Sequence, residues 1–226
     1  MTTLILGAHR PLGLACAREL LARGESVTAG VQAPHRIPPA VHDLREEFPT
    51  RLTALAWQPG KWPALPDVTR AIVAELPIPP AQTDEADEPS SDLRALTSEQ
   101  VLSETRDILA PTLAALQFVT HVRPAKVLIQ ASWLGVIDEK VRGGGYALGM
   151  AYAAQLMLAR TAALDLQRDG IAAVVANAGR YKLDMAGPGF HADIEDVARG
   201  MLEVLDGCQL DTEPEFRDWR GAVRHW

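Results

Sequence analysis

The chain has 226 residues, 47% of them apolar, with 17 glycines and 16 prolines, enough to bury a full core within one domain. Twenty-two basic against 29 acidic residues give a formal net charge of −7, which argues against a nucleic-acid or anionic-membrane binder. No apolar run reaches bilayer length, Met1 to Leu6 enter a strand without a basic leader, and Cys16 and Cys208 read as small buried side chains in helical segments, so a cytoplasmic location is expected.

Thr2 to Leu6 is a β-branched and apolar run that ends at Gly7, and Leu12 to Ala22 then carries apolar residues at helical spacing, closed by Gly24. Val27 to Val31 predicts a second strand. Three prolines, at 34, 38 and 39, precede an ambiguous segment over Ala40 to Glu47, and Leu52 to Trp57 predicts a third strand. Ala71 to Ala74 predicts the fourth. The stretch from Pro77 to Ser91 holds four prolines and four carboxylates, so residues 77–98 read as an exposed acidic loop, with an interdomain linker as the alternative. Thr97 and Gln100 have the spacing of a capping box, and the helix that follows either continues past Pro111 or restarts there.

Lys126 to Ala131 predicts the next strand, Gly143-Gly144-Gly145 an exposed segment, and Ala147 to Gln167 a long Ala/Leu-rich helix ended by Asp169-Gly170. Ile171 to Ala176 is a buried strand by its continuous apolar character. Asp193 and Asp196 start a final helix through Leu205. Strands alternating with helices predict an α/β fold: a single Rossmann-like doubly wound domain over residues 1–226, with a mostly parallel central sheet and helices on both faces.

The first strand-to-helix turn, Gly7-Ala8-His9-Arg10-Pro11-Leu12-Gly13, resembles that of the short-chain dehydrogenases/reductases, whose pattern is G-x-x-x-G-x-G; Pro11 stands at the middle glycine. The resemblance implies a dinucleotide held by Gly7, His9, Arg10, Leu12 and Gly13. Against it, Gly7 and Gly13 serve only to pack the helix on the sheet. Pro11 removes one N–H but suits a first helical position. Val31-Gln32-Ala33 lacks the carboxylate that holds the ribose of NAD, while Arg10 and Arg36 either face a 2′-phosphate or are solvated surface residues, so the expected cofactor is NADP or none. The family's N-N-A-G turn falls on Ala74-Glu75-Leu76-Pro77, where Glu75 either repels phosphate from within the pocket or faces water. Trp57, near the adenine-contacting end of the third strand, either fills cofactor space or is a core residue.

Carbonyl reduction in this family requires a serine, a tyrosine and a lysine four residues after the tyrosine. Ile129 to Gly135 resembles the serine-bearing strand end and matches Ser132 to that serine; the plain alternative is a turn-capping hydroxyl. Asp165 to Ile171 and Asn177 to Met185 resemble the helix exit and following loop of the family. Counting back from them without a gap puts Leu148 at the tyrosine and Tyr152 at the lysine. A rival register takes Tyr146 as the tyrosine and Met150 as its partner. Neither has a Tyr-x-x-x-Lys pair, so Ser132, Tyr146 and Tyr152 are the candidate catalytic positions, with Lys140 and Lys182 as outside donors. His9, His121, His191 and His225 show no metal spacing, and Ser132 lacks a G-x-S-x-G elbow.

The resemblance implies a homodimer or a related partner subunit, formed through the small-sided long helix, and a substrate-side lid over residues 186–193 with Phe190 and His191 as contacts. The sequence reading is a noncatalytic or catalytically reduced relative that binds a small-molecule ligand or serves as a partner subunit. The alternative is a divergent NADP-dependent oxidoreductase of a small carbonyl or alcohol, with nonstandard proton transfer.

Overall fold

Seven parallel strands form the central sheet, in the spatial order Leu52–Trp57, Ser26–Gln32, Thr2–Leu6, Arg70–Val73, Lys126–Ala131, Ala172–Asn177 and Phe216–Asp218. The computed structural model describes residues 1–33, 36–65, 67–77, 92–182 and 192–226. The strands are β1 (Thr2–Leu6), β2 (Ser26–Gln32), β3 (Leu52–Trp57), β4 (Arg70–Val73), β5 (Lys126–Ala131), β6 (Ala172–Asn177) and β9 (Phe216–Asp218). A two-residue pair, β7 (Tyr181–Lys182) and β8 (Ala192–Asp193), stands apart from the sheet. The helices are α1 (Pro11–Ala22), α2 (Pro39–Glu47), α3 (Ser98–Val122), α4 (Tyr146–Arg168) and α5 (Ile194–Gly207).

The alternation of side chains along each strand divides the core into two layers. Ile5, Ile72, Leu128 and Val174 pack with α1, α2 and α5 on one face. Leu4, Leu6, Val73, Val127, Ile129 and Val175 pack with α3 and α4 on the other. The predicted α/β architecture, with helices on both faces of a parallel sheet, is the one observed. Its order reverses between β1 and β4, and the crevice above their C-terminal ends is the ligand position in doubly wound sheets.

Several local expectations change. The ambiguous segment is α2, which starts on Pro39 because a proline at the first helical turn loses no hydrogen bond that the helix could use. Pro111 lies inside one continuous α3, whose buried Ile108, Thr112 and Ala115 hold both sides of the proline against the core. The capping box at Thr97 and Gln100 is complete, with both reciprocal hydrogen bonds made. Cys208 is not helical; it follows Gly207 in extended conformation. The sequence reading omitted β9, whose three residues are too short for a periodic signal; it pairs with β6 and buries Phe216.

Of the predicted acidic loop, residues 78–91 lie outside the described residues, while Asp92 to Thr97 lead in turns to α3 with all but Leu96 exposed. Most of the predicted lid, including Phe190 and His191, also lies outside them; its last two residues form β8. No described helix is long and apolar enough to cross a membrane.

At the sheet's opposite end, Arg70 is 4% exposed and its guanidinium donates to Thr3, Glu25 and Asp206, joining β4 and β1 to the C-terminal end of α5. Three acceptors satisfy a charge that burial alone would strand.

Candidate functional site

The β1–α1 turn closes tightly on the end of β4. Gly7 has φ +96°, and a Cβ there would lie 2.2 Å from the Ala74 carbonyl oxygen; one on Gly13 would lie 2.3 Å from the Gly7 carbonyl oxygen. Both glycines are therefore required by protein packing, whatever the cleft holds. The Gly7 and Ala8 N–H groups both donate to the Gly30 carbonyl at 3.1 Å, and Arg10 N–H donates to Gly7 at 2.8 Å. A helix leaves its first N–H groups without intrahelical acceptors. Pro11, the first residue of α1, supplies none, so Leu12 and Gly13 carry those of the first turn.

Glu75 is neither open in the pocket nor facing water, contrary to both sequence readings: it is 1% exposed. The short reach from β4 to the glycine turn brings its Oε2 to 3.9 Å from His9 Nε2, and its Oε1 is enclosed without a hydrogen-bond partner. Burial pushes the carboxyl up from 4.5 to about 7, against the pull of the Arg10 guanidinium. Arg10 is half-buried, with Nε likewise enclosed and without a partner. Beyond it lies Tyr181 of β7, whose phenol burial pushes up while Arg10 pulls it down. Sequence reasoning missed the contact of Glu75 with His9. Its one signal was a carboxylate inside the apolar run from Ala71 to Leu76.

The remaining predicted nucleotide contacts are dispersed. Gln32 ends β2 half-buried, and Arg36 is exposed beyond it. Trp57 is a core residue: 2% exposed, its ring 5.9 Å from Trp62 and 5.3 Å from Phe118.

Tyr152 lies in an apolar cluster that Leu148 joins. Leu76, Ile108, Ala151 and Tyr152 form a buried cluster joined by Leu109, Leu134 and Leu148. Tyr152 is 1% exposed, whereas Met150, the partner in the rival register, is 46% exposed. Of the two residues that the rival registers set at the lysine position, Tyr152 thus faces inward and Met150 outward. Tyr146 is the first residue of α4 and half-buried.

Ser132 acts as a cap: its hydroxyl accepts from Leu134 N–H at 3.2 Å, starting a 3-10 turn over Trp133–Gly135. That turn lies directly on α4, since a Cβ on Gly135 would be 2.5 Å from the Tyr152 carbonyl oxygen. Gln155 Nε2 donates to the Gln130 carbonyl at 2.9 Å and fixes α4 against β5. Lys140 is exposed and its ammonium reaches over Gly145, next to Tyr146; the side chain of Lys182 lies outside the described residues. Among the described residues no three His, Cys, Asp or Glu side chains converge as metal ligands.

No family model matches the chain. In sequence it is 33% identical over 112 residues to the C-signal protein of Myxococcus xanthus, covering 50% of this chain and 63% of that protein. It is 29% identical over 130 residues to 1-hydroxy-2-glutathionyl-2-methyl-3-butene dehydrogenase of Rhodococcus sp. (strain AD45), covering 54% and 58%. The matches thus span about three-fifths of each relative's length.

In structure, a short-chain dehydrogenase/reductase from Burkholderia multivorans with bound NADP superposes with a TM-score of 0.79 at 21% identity, over 100% of this chain and 99% of that one. An NADPH-bound carbonyl reductase from chicken fatty liver gives 0.74 at 19%, over 100% and 98%. The carbonyl reductase Sniffer of D. melanogaster gives 0.76 at 16%, over 100% and 99%. The fold of this chain is therefore that of the short-chain dehydrogenases/reductases.

Proposed function

We propose that this chain is a divergent NADP(H)-binding protein of the oxidoreductase type in which carbonyl reduction through the ordinary Tyr–Lys relay is lost or strongly reduced. The observation that carries this reading is the apolar cluster around Leu148 and Tyr152. A leucine exchanges no proton, and a neutral phenol does not replace the field of an ammonium. The fold survives these changes because its two hydrophobic layers do not depend on proton transfer.

The phosphate half of NADP fits the residues present. Leu12 and Gly13 offer helix N-terminal N–H groups, Arg10 and Arg36 offer cations, and the end of β2 carries no carboxylate to repel a 2′-phosphate. Bound NADPH would supply a hydride; the nearby chain offers Ser132 as a hydroxyl to orient a carbonyl and Tyr146 and Lys140 as proton-bearing groups at the start of α4. In its noncatalytic form the protein binds a small ligand or serves as a partner subunit. The exposed Leu102, Leu113, Met150 and Met157 on α3 and α4 support a homodimer or a related-subunit interface through this helix pair.

A second reading keeps catalysis: an NADP-dependent oxidoreductase of a small carbonyl or alcohol whose proton comes from Tyr146, Lys140 or water. The comparisons favour it, because solved structures named carbonyl reductases, some holding NADP or NADPH, align over the whole chain. Calorimetry with NADP, NADPH, NAD and NADH, followed by NADPH oxidation with small aldehydes and ketones, separates the readings. Binding without turnover supports the first, turnover supports the second, and failure of all four nucleotides to bind refutes the nucleotide reading in both and leaves only the partner-subunit role.

A further inference from the structure

We infer that His9, Arg10 and Glu75 form a proton-coupled anion site, in which a phosphate-bearing ligand binds together with one proton taken up by the Glu75 carboxylate. The inference rests on the reading that the crevice takes a phosphorylated nucleotide, and goes beyond it by assigning the charge state of the cradle.

The groups are set out by the fold. Glu75 leaves β4 at the point where the sheet order reverses, and its carboxyl faces His9 in the β1–α1 turn, 3.9 Å away. Arg10 follows His9 and acts on Glu75 electrostatically. On neighbouring elements, Tyr181 of β7 feels the Arg10 charge and Cys16 of α1 acts on Tyr181; burial raises the pKa of both, so both stay neutral at pH 7.

An ionised Glu75, beside His9 and within the electrostatic reach of Arg10, offsets part of the positive charge at the turn and opposes a phosphate there. A protonated one leaves the Arg10 charge uncompensated and turns an acceptor-only group into one with an O–H donor. The Glu75 Oε1 atom, enclosed and without a partner, is free to carry that donor. The raised affinity of Glu75 for its proton places the change near neutral pH, where ligand binding can drive it. The proton comes from solvent on binding and returns to it on release.

The test is titration of the intact protein and of Glu75→Gln with NADPH at pH 6, 7 and 8, with calorimetry in buffers of different ionisation enthalpy to count protons. The ratio of wild-type to variant affinity cancels the titration of the ligand's own 2′-phosphate. The expected result is a ratio that falls about tenfold from pH 6 to pH 8, with proton uptake near one at pH 8 in the wild type and reduced by that amount in the variant. A ratio constant with pH while both proteins bind overturns the inference and leaves the nucleotide reading standing. Absence of binding by both proteins at every pH overturns the nucleotide reading and the inference with it.

Discussion

Replacing Glu75 by glutamine tests the buried carboxyl without any ligand. In the folded chain this group holds its proton up to about 7, against 4.5 for the ordinary side chain. Its folded-state value is raised, so the native state binds the proton more tightly. Stability is highest below pH 4.5, falls as pH rises from 4.5 to 7, and levels off above. At 1.36 kcal/mol per unit the fall is worth about 3 kcal/mol. Glutamine keeps the shape and does not titrate.

Thermal unfolding followed by circular dichroism, for both proteins from pH 5 to pH 8, isolates the effect because other titrating groups cancel in the difference. A chain of this size shifts by roughly 2–4 °C per kcal/mol. The difference in Tm, variant minus wild type, should therefore grow by roughly 5–10 °C between pH 5 and pH 8. A difference constant to within about 1 °C would show that Glu75 titrates as it does in water, and would refute the reasoning.

Other expectations come from the packing. Gly7→Ala should cost at least about 2 kcal/mol, through contact with the Ala74 carbonyl and the positive φ, read as a lower midpoint in urea. Arg70→Ala should cost about 3 kcal/mol in the same assay, because it leaves Thr3, Glu25 and Asp206 without their shared partner; the partial exposure of both carboxylates holds the figure at the low end for a broken buried pair. Tyr152→Lys, alone or with Leu148→Tyr, should lower stability by about 3 kcal/mol by placing an ammonium among Leu76, Ile108 and Ala151, and should not restore carbonyl reduction. Met157→Glu, on the exposed face of α4, should shift the mass measured by light scattering toward the monomer.

The fold was legible because its signals are repetitive. The apolar runs at β1, β5 and β6 and the helical spacing in α1 and α4 each span enough residues to reveal their period. The short β9, buried only through Phe216, carries no such period and depends on the partner strand it meets after the turn that follows α5. Pro111 shows a tertiary override: local chemistry allows a break, and packing on both sides of it keeps α3 whole.

At the site, counting back from the helix exit offers a register for Leu148 and Tyr152, but not the nature of their surroundings. That Leu76 and Ile108 close over Tyr152 depends on the crossing of β4, α3 and α4, residues far apart in the chain. Glu75 was visible as an oddity; only the closeness of Gly7 to Ala74 explains why it ends beside His9 rather than in solvent. Ser132 resembles a motif serine, and the structure shows its hydroxyl accepting from Leu134 N–H at the start of the turn that rests on Tyr152.

The most direct test of the central claim is NADPH oxidation, followed by absorbance, with a panel of small aldehydes and ketones at saturating nucleotide. The account predicts weak or absent turnover for every substrate, well below the ordinary enzyme range and unchanged by Ser132→Ala. A kcat of about 1 s⁻¹ or more, within the ordinary enzyme range and lost in Ser132→Ala, would contradict it.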